Sequence, residues 1–164
     1  MKEGFYYIIK DCFFDKFTAA GSSFKDNKGG NRPTYCCFED KIHKGLFWAI
    51  PTSSLNKSDT RKIERINRFV NLPDNDLRSC FYHIGYTNRR ALFCISSAFP
   101  ITDKYVERTY LTDGVPLELK RIAMKEEIRR KLLKIITYEN KFPNKLETHI
   151  TDIKNTLLKE LQEG

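Results

Sequence analysis

Residues 46–57 read LFWAIPTSSLNK, in which five apolar side chains precede a proline, three hydroxyl residues and a later lysine. The apolar half contains large aromatic and β-branched residues, and this composition predicts a buried β-strand over residues 46–51. The hydroxyl cluster, formed by Thr52, Ser53 and Ser54, is expected where this strand ends. The function of the chain therefore depends on what these hydroxyls bind.

Two interpretations of the hydroxyl cluster remain open at this level. In the first, the three residues form a turn, and Ser54 or Asn56 caps a helix that begins near Lys57. In the second, the hydroxyls and the N–H groups after the strand converge on one phosphate. Lys57 and Arg32 then supply the positive charge.

The flanking sequence predicts one α+β domain over residues 1–164. Residues 4–10 and two hairpins, at 34–51 and 78–97, have the composition of strands, and residues 101–111 extend the sheet. Helical periodicity predicts helices over residues 57–70, 117–138 and 146–161. We expect a compact, strongly twisted antiparallel sheet or a partly open β-barrel, with inserted and C-terminal helices.

The chain is basic, with 29 Lys and Arg against 21 Asp and Glu and a formal net charge of +8. The excess lies mainly in residues 57–136, and it favours a polyanionic partner such as nucleic acid. The five cysteines follow no paired spacing, and the chain starts without a signal peptide, so we expect a reducing cytoplasm. No apolar run approaches the roughly 20 residues of a membrane span.

Several classes of chemistry lack their motifs. The three histidines are far apart, and the cysteines form no CxxC pair, so no metal site and no cofactor is expected. The glycine-rich loop at residues 21–33 matches neither phosphate-binding glycine motif. The sequence PTSS differs from the GxSxG elbow of serine hydrolases.

Four motifs in order resemble a known family. They are the FYYI strand, the NRP-x-Y segment at residues 31–35, WAIPTSS followed by Lys57, and ALFCISSAFPIT-x-K-Y at residues 91–105. Together they resemble the toxins of type III toxin–antitoxin systems, and most closely the CptN branch of the ToxN, AbiQ and TenpN toxins. The resemblance implies a fold similar to that of MazF and Kid.

The resemblance also implies an activity and partners. Such toxins cleave single-stranded RNA without metal, by attack of the ribose 2′-OH to leave a 2′,3′-cyclic phosphate. They process a small repeated RNA pseudoknot, which inhibits them, and assemble with it as closed protein–RNA rings. Cellular mRNA is the other substrate.

The family signature P-x-[S/T]-S places the catalytic centre at Ser53 and Ser54, followed by Lys57, and we add Thr52 and Arg32. Tyr35 matches the RP-x-Y element and either contacts RNA or packs in the core. The other candidate RNA-binding residues are Lys25, Lys28, His43, Arg61, Arg65, Arg68, Arg89 and Arg90, of which Arg61, Arg65 and Arg68 form a basic stripe on the helix predicted over residues 57–70. Lys57 is the favoured candidate to carry a proton. His43 is the less favoured one, because an exposed turn residue explains it better. The alternative is a basic RNA-binding protein without catalytic activity, in which PTSS only caps a helix.

Overall fold

The computed structural model describes residues 1–164 and has the α+β fold that the sequence predicts. Its strands are β1 (Tyr6–Ile9), β2 (Thr34–Glu39), β3 (Phe47–Ser54), β4 (Tyr82–Tyr86), β5 (Arg90–Cys94), β6 (Phe99–Ile101), β7 (Val106–Thr109), β8 (Leu111–Thr112) and β9 (Val115–Pro116). Its α-helices are α1 (Asp11–Ala19), α2 (Thr60–Val70), α3 (Ile122–Lys141) and α4 (Ile150–Glu163).

Seven strands form one antiparallel sheet, in the order β4-β5-β3-β2-β1-β7, with β6 also paired to β3. Strand β3 is the longest, and it pairs with β2 along one edge and with β6 and then β5 along the other. Strands β8 and β9 form a separate hairpin. The large sheet is open, because its two end strands, β4 and β7, do not pair with each other.

Strand β3 continues through Pro51, so the predicted strand end at residue 51 is wrong. The N–H of Thr52 points towards β2, where it bonds to the carbonyl of Pro33. Alternation along the strand then directs the nitrogen of Pro51 to the opposite edge. On that edge, the pairing of β3 with β6 ends at Ala49 and its pairing with β5 starts at Thr52. Pro51 lies in the gap between them, so its lack of an N–H costs the sheet no hydrogen bond.

Both faces of the sheet are covered by helices. Along β3, Trp48 and Ile50 pack into a core that includes α3, whereas Phe47 and Ala49 pack into a second core that includes α1 and α4. A smaller cluster lies between α2 and the β4–β5 hairpin. Strand β3 is therefore buried on both faces up to Thr52, and only Ser53 and Ser54 are partly exposed.

The helices begin later than their periodicity predicts. Helix α2 starts at Thr60, and its N-cap residue Asp59 makes no side-chain capping bond. The N–H groups of Leu117 and Leu119 bond instead to the carbonyls of Tyr110 and Gly4, which delays α3 to residue 122. Among the helices, none combines the length and the apolar character that crossing a bilayer requires.

Candidate functional site

The C-terminal end of β3 projects past β2 and carries the hydroxyl cluster. Strand β2 stops opposite Pro51, whereas β3 continues to Ser54 and pairs there with β5. The hydroxyl of Thr52 donates to the carbonyl of Pro33 at 2.7 Å. The hydroxyls of Ser53 and Ser54 make no hydrogen bond within the protein, and both residues are half-buried. Because α2 begins six residues after Ser54, neither serine caps it.

The backbone of Ser54 also offers a donor. The N–H of Leu55 points towards β5, where it bonds to the carbonyl of Arg90 at 3.4 Å. Successive N–H groups of a strand point to alternate edges, so the Ser54 N–H points away from β5. That edge is the one that β2 has left uncovered.

Ser53 and Ser54 point to opposite faces of the sheet, because side chains alternate along an extended strand. Ser53 lies opposite Leu92, which packs in the cluster beneath α2. Ser54 lies opposite Ala91, on the face where β1 contributes Tyr6. Both residues nevertheless line the same two cavities, so the expectation that their hydroxyls converge on one phosphate stays a prediction.

A cavity lies on each side of the serine pair. The first, which we call the Tyr6 cavity, has a volume of about 230 Å³ and includes the β4–β5 turn. The second, the α2 cavity, has a volume of about 210 Å³ and includes the exposed part of helix α2. Lys28, Ser53 and Ser54 line both cavities, so the two spaces adjoin at the end of β3.

Six cationic side chains and no carboxylate line the two cavities. None of these cations takes part in a salt bridge of the structure. Unpaired cations around a concave surface attract anions, so the site is suited to phosphate groups. They are Lys25, Lys28, Arg32, Lys62 and Arg65 in the α2 cavity, and Lys28 and Arg89 in the Tyr6 cavity.

Arg32 is the most deeply placed of these cations, with 8% of its surface exposed. Its Nε donates to the carbonyl of Asp26, and its Nη1 donates to the carbonyl of Thr52 at 3.1 Å. Its Nη2 makes no hydrogen bond. Burial of a charge without a carboxylate partner is unfavourable, and an anion in the adjoining cavity would relieve it.

The loop that carries Lys28 is anchored on the sheet. The side-chain amide of Asn27 donates to the carbonyl of Ile9 at 3.1 Å and to the carboxylate of Asp11 at 2.9 Å. Lys28 itself has a positive φ of 51°. The anchors hold this exposed lysine over the seam between the two cavities.

A tyrosine and a threonine form a hydrogen-bonded pair in the Tyr6 cavity. The hydroxyls of Tyr6 and Thr87 are 2.6 Å apart. Burial raises the pKa of Tyr6 to about 12, although the bond to Thr87 acts in the opposite direction. Tyr6 is therefore protonated at neutral pH, and its hydroxyl is able to donate a hydrogen bond.

The cations of the α2 cavity influence the pKa of the Cys94 thiol. Burial raises the pKa of its thiol, while Lys25, Arg32 and Lys62 favour the thiolate and oppose this effect. Three cations, from the loop before β2 and from α2, thus lie close enough to Cys94 to influence the same thiol. Since the thiol is buried and its pKa is raised, Cys94 is not a nucleophile.

The structure brings together most of the residues that the sequence analysis selected. Ser53 and Ser54 lie at the centre, and Thr52 lines the Tyr6 cavity but uses its hydroxyl within the sheet. The predicted basic residues that line the cavities are Lys25, Lys28, Arg32, Arg65 and Arg89.

Other predicted residues lie outside the site. Lys57 is exposed in the turn before α2 and lines neither cavity. Arg61 and Arg68 are exposed on α2, and Arg90 starts β5, but none of these three reaches a cavity wall. Of the predicted basic stripe on α2, the site therefore meets only Arg65, together with Lys62, which was not predicted.

Tyr35 and His43 are placed where they cannot contact an RNA bound at the serines. Tyr35 is 1% exposed, and its ring packs 5.2 Å from Tyr6 and 5.4 Å from Phe93, so the core alternative holds. Burial raises its pKa. His43 lies in the β2–β3 turn and contacts Asp40 at 3.0 Å. The length of β3, at about 3.3 Å per residue, puts it more than 20 Å from Ser54.

Three residues of the site were missed. The sequence around Tyr6 indicates only an apolar strand. Its partner Thr87 lies 81 positions further along the chain, so no local pattern connects the two. Lys62 lies four residues before the buried Ile66, and this spacing was the only available signal that it faces the core side of α2.

Neither cavity contains a histidine or a carboxylate. The nearest histidine along the sheet, His83, contacts Lys131 at 3.3 Å beneath α3. Burial, reinforced by Lys131, lowers its pKa to about 4. No group of three His, Cys, Asp or Glu side chains is arranged to hold a metal ion.

The site thus combines free hydroxyls, a free backbone donor and unpaired cations at one strand end. In comparisons with known proteins, no family model matches the sequence, and no curated protein is significantly similar to it.

Proposed function

We propose that the protein is a metal-independent endoribonuclease and acts as the toxin of a type III toxin–antitoxin system. One observation carries the proposal: the free hydroxyls of Ser53 and Ser54 lie at a strand end among six unpaired cations, with no carboxylate beside them. The motif resemblance to the CptN branch supports the same activity. A helix-capping role for PTSS is not compatible with a helix that starts at Thr60.

The reaction requires two proton transfers around one phosphate. The ribose 2′-oxygen attacks phosphorus and loses its proton to a base. The bond from phosphorus to the 5′-oxygen breaks, and that oxygen takes up a proton. The products are a 2′,3′-cyclic phosphate and a free 5′-hydroxyl, and negative charge develops on the non-bridging oxygens on the way.

The Tyr6 cavity contains groups suited to all of these roles except that of the base. The hydroxyl and the N–H of Ser54 would donate to the non-bridging oxygens, and Lys28 would neutralise their charge. Tyr6, with a pKa of about 12, would donate to the departing 5′-oxygen. Serine hydroxyls are poor bases and the cavity has no histidine or carboxylate, so the 2′-OH proton would pass to hydroxide or water from the solvent.

The proposed biology follows the resemblance. The inhibitor would be a small repeated pseudoknot RNA that the protein processes and binds in closed protein–RNA rings. Cellular mRNA would be the other substrate, in the cytoplasm, with phage defence by abortive infection as one outcome. The open antiparallel sheet is compatible with a MazF- or Kid-like fold, and we include such a fold in the proposal.

Incubation of the purified protein with mixed mRNA in EDTA tests the activity. We expect fragments with 2′,3′-cyclic phosphate ends, and a loss of about 100-fold or more in rate in Ser54→Ala. Ser58→Ala, an exposed serine in the turn before α2, is the matched control and should cleave like the wild type. Intact RNA in all samples would refute the nuclease.

One observation favours a second candidate function, a basic RNA-binding protein without catalytic activity. Neither cavity offers a histidine or carboxylate to accept the 2′-OH proton. In that case the same experiment would give intact RNA together with tight, salt-sensitive binding. Binding that Ser54→Ala leaves unchanged, with no cyclic ends, would establish it.

A further inference from the structure

The α2 cavity has a different chemical character from the Tyr6 cavity. Five cations line it, whereas the Tyr6 cavity has two and adds the neutral donors Tyr6, Asn31 and Thr87. A region that contains mainly cations suits an anion that is held but not transformed. A region with neutral donors beside few cations suits an anion whose charge and protons rearrange.

Arg32 identifies the α2 cavity as a built anion site. More than nine-tenths of its side chain is buried, its two hydrogen bonds go to main-chain carbonyls, and its Nη2 has no partner. Carbonyl dipoles orient the guanidinium without neutralising it. A phosphate oxygen is the natural partner for the remaining donors, because guanidinium groups match phosphate geometry.

The spacing of the serines relates the two cavities. Ser53 and Ser54 line both cavities, and the Cα atoms of consecutive residues are only about 3.8 Å apart. Lys28 also lines both. The two cavities are therefore close enough to hold two neighbouring phosphates of a single nucleic-acid strand.

We propose that the α2 cavity is a second phosphate subsite, which binds the phosphate adjacent to the scissile one on single-stranded RNA. The backbone crosses the uncovered edge of β3, with Ser54 on the scissile phosphate and Ser53, Arg32, Lys62 and Arg65 on its neighbour. The inference rests on the proposed function for the identity of the strand. The subsite makes substrate length part of recognition, since a ligand with one phosphate fills only half of the site.

Binding of short ligands that the enzyme cannot cleave tests this subsite. The probes are a 2′-deoxy dinucleoside monophosphate and the same compound with an added 5′- or 3′-phosphate, titrated at low salt and followed by amide NMR shifts. For the wild type we expect one of the added phosphates to tighten binding about tenfold or more. The end that gives the gain also fixes the direction of the strand.

The variant pair isolates the α2 cavity. Lys62→Ala/Arg65→Ala should remove the gain while it leaves the one-phosphate ligand within about twofold of wild type. Arg61→Ala/Arg68→Ala, on the same helix but outside both cavities, should keep the gain. Equal affinity of the wild type for all three ligands would overturn the proposal, as would loss of the gain in the control pair.

The test is separate from the test of catalysis. If mixed mRNA stays intact but the added phosphate still tightens binding, the subsite stands and the nuclease fails. If mRNA is cleaved but no gain appears, the nuclease stands and the subsite fails. A polyglutamate peptide that competes as well as the two-phosphate ligand would overturn the assignment to nucleic acid.

Discussion

The salt dependence of single-strand binding should distinguish the α2 residues that line the cavities from those that do not. Six unpaired cations line the cavities, and two of them, Lys62 and Arg65, come from this helix. Two other basic residues of the helix, Arg61 and Arg68, line neither cavity. The perturbation is therefore a pair of double variants, Lys62→Ala/Arg65→Ala and Arg61→Ala/Arg68→Ala, which remove the same charge inside and outside the cavities.

The magnitude follows from counterion release. If a single strand neutralises all six cations, the slope of log K against log[salt] is about −4, and affinity falls about 300-fold between 50 and 200 mM salt. Removal of Lys62 and Arg65 leaves four, so the slope becomes about −3 and the fall about 50-fold. The Arg61 and Arg68 variant should keep the wild-type slope.

Fluorescence anisotropy with a labelled strand of about ten deoxynucleotides measures these slopes without cleavage. Circular dichroism of both double variants checks that α2 remains folded. Equal reductions of slope in the two double variants would refute the reasoning. Such a result would mean that RNA follows the exposed stripe of α2 that the sequence suggests, and not the cavities.

Three further predictions concern individual side chains. Lys28→Ala should lower the rate of RNA cleavage about 100-fold and Lys57→Ala less than about threefold, in single-turnover assays; equal losses would contradict the assignment of Lys28. Tyr6→Phe removes the 2.6 Å bond to Thr87 and should destabilise the fold by about 1 kcal/mol in urea unfolding, and Thr87→Val should add little to it. His83 has a pKa near 4 when folded and about 6.5 when unfolded, so stability should fall as the pH drops from 6.5 to 4. After a discount for its partial exposure the loss is about 1–2 kcal/mol, and a His83→Gln variant that retains the full pH dependence would exclude His83 as its source.

The sequence allowed the elements of the site to be recognised but not their orientation. Composition and periodicity predict β2, β3 and α2, and they place Arg32 and Lys28 on a loop near the serines. They cannot show which side of α2 meets the sheet, because that depends on how Ile66 packs beneath the helix. For this reason the sequence predicts Arg61 as an RNA-binding residue, whereas the structure places Lys62 at the site.

Non-local pairing explains the remaining differences. Whether Pro51 ends β3 depends on where β5 and β6 begin and end along the opposite edge, and both strands lie about 40 or more residues further along the chain. The pair formed by Tyr6 and Thr87 has no local signal at all. His43 is a less favoured candidate in the sequence because it lies on the hairpin turn before β3, and the eight residues of that strand place it far from the serines.

Three consecutive hydroxyl residues at the end of β3 have a consequence for the tolerance of the site to change. A slip of one residue in the pairing of a strand exchanges its two faces, and it would drive Trp48 and Ile50 out of their core. A slip that moves Thr52 and Ser53 to the positions of Ser53 and Ser54 would still present a hydroxyl on each side of the strand end, because all three residues carry one. The hydroxyl cluster therefore does not oppose a slip in that direction, and the apolar half aligns the strand against it. Mutations far from the serines, in the core around Trp48, should therefore be the ones that misplace them.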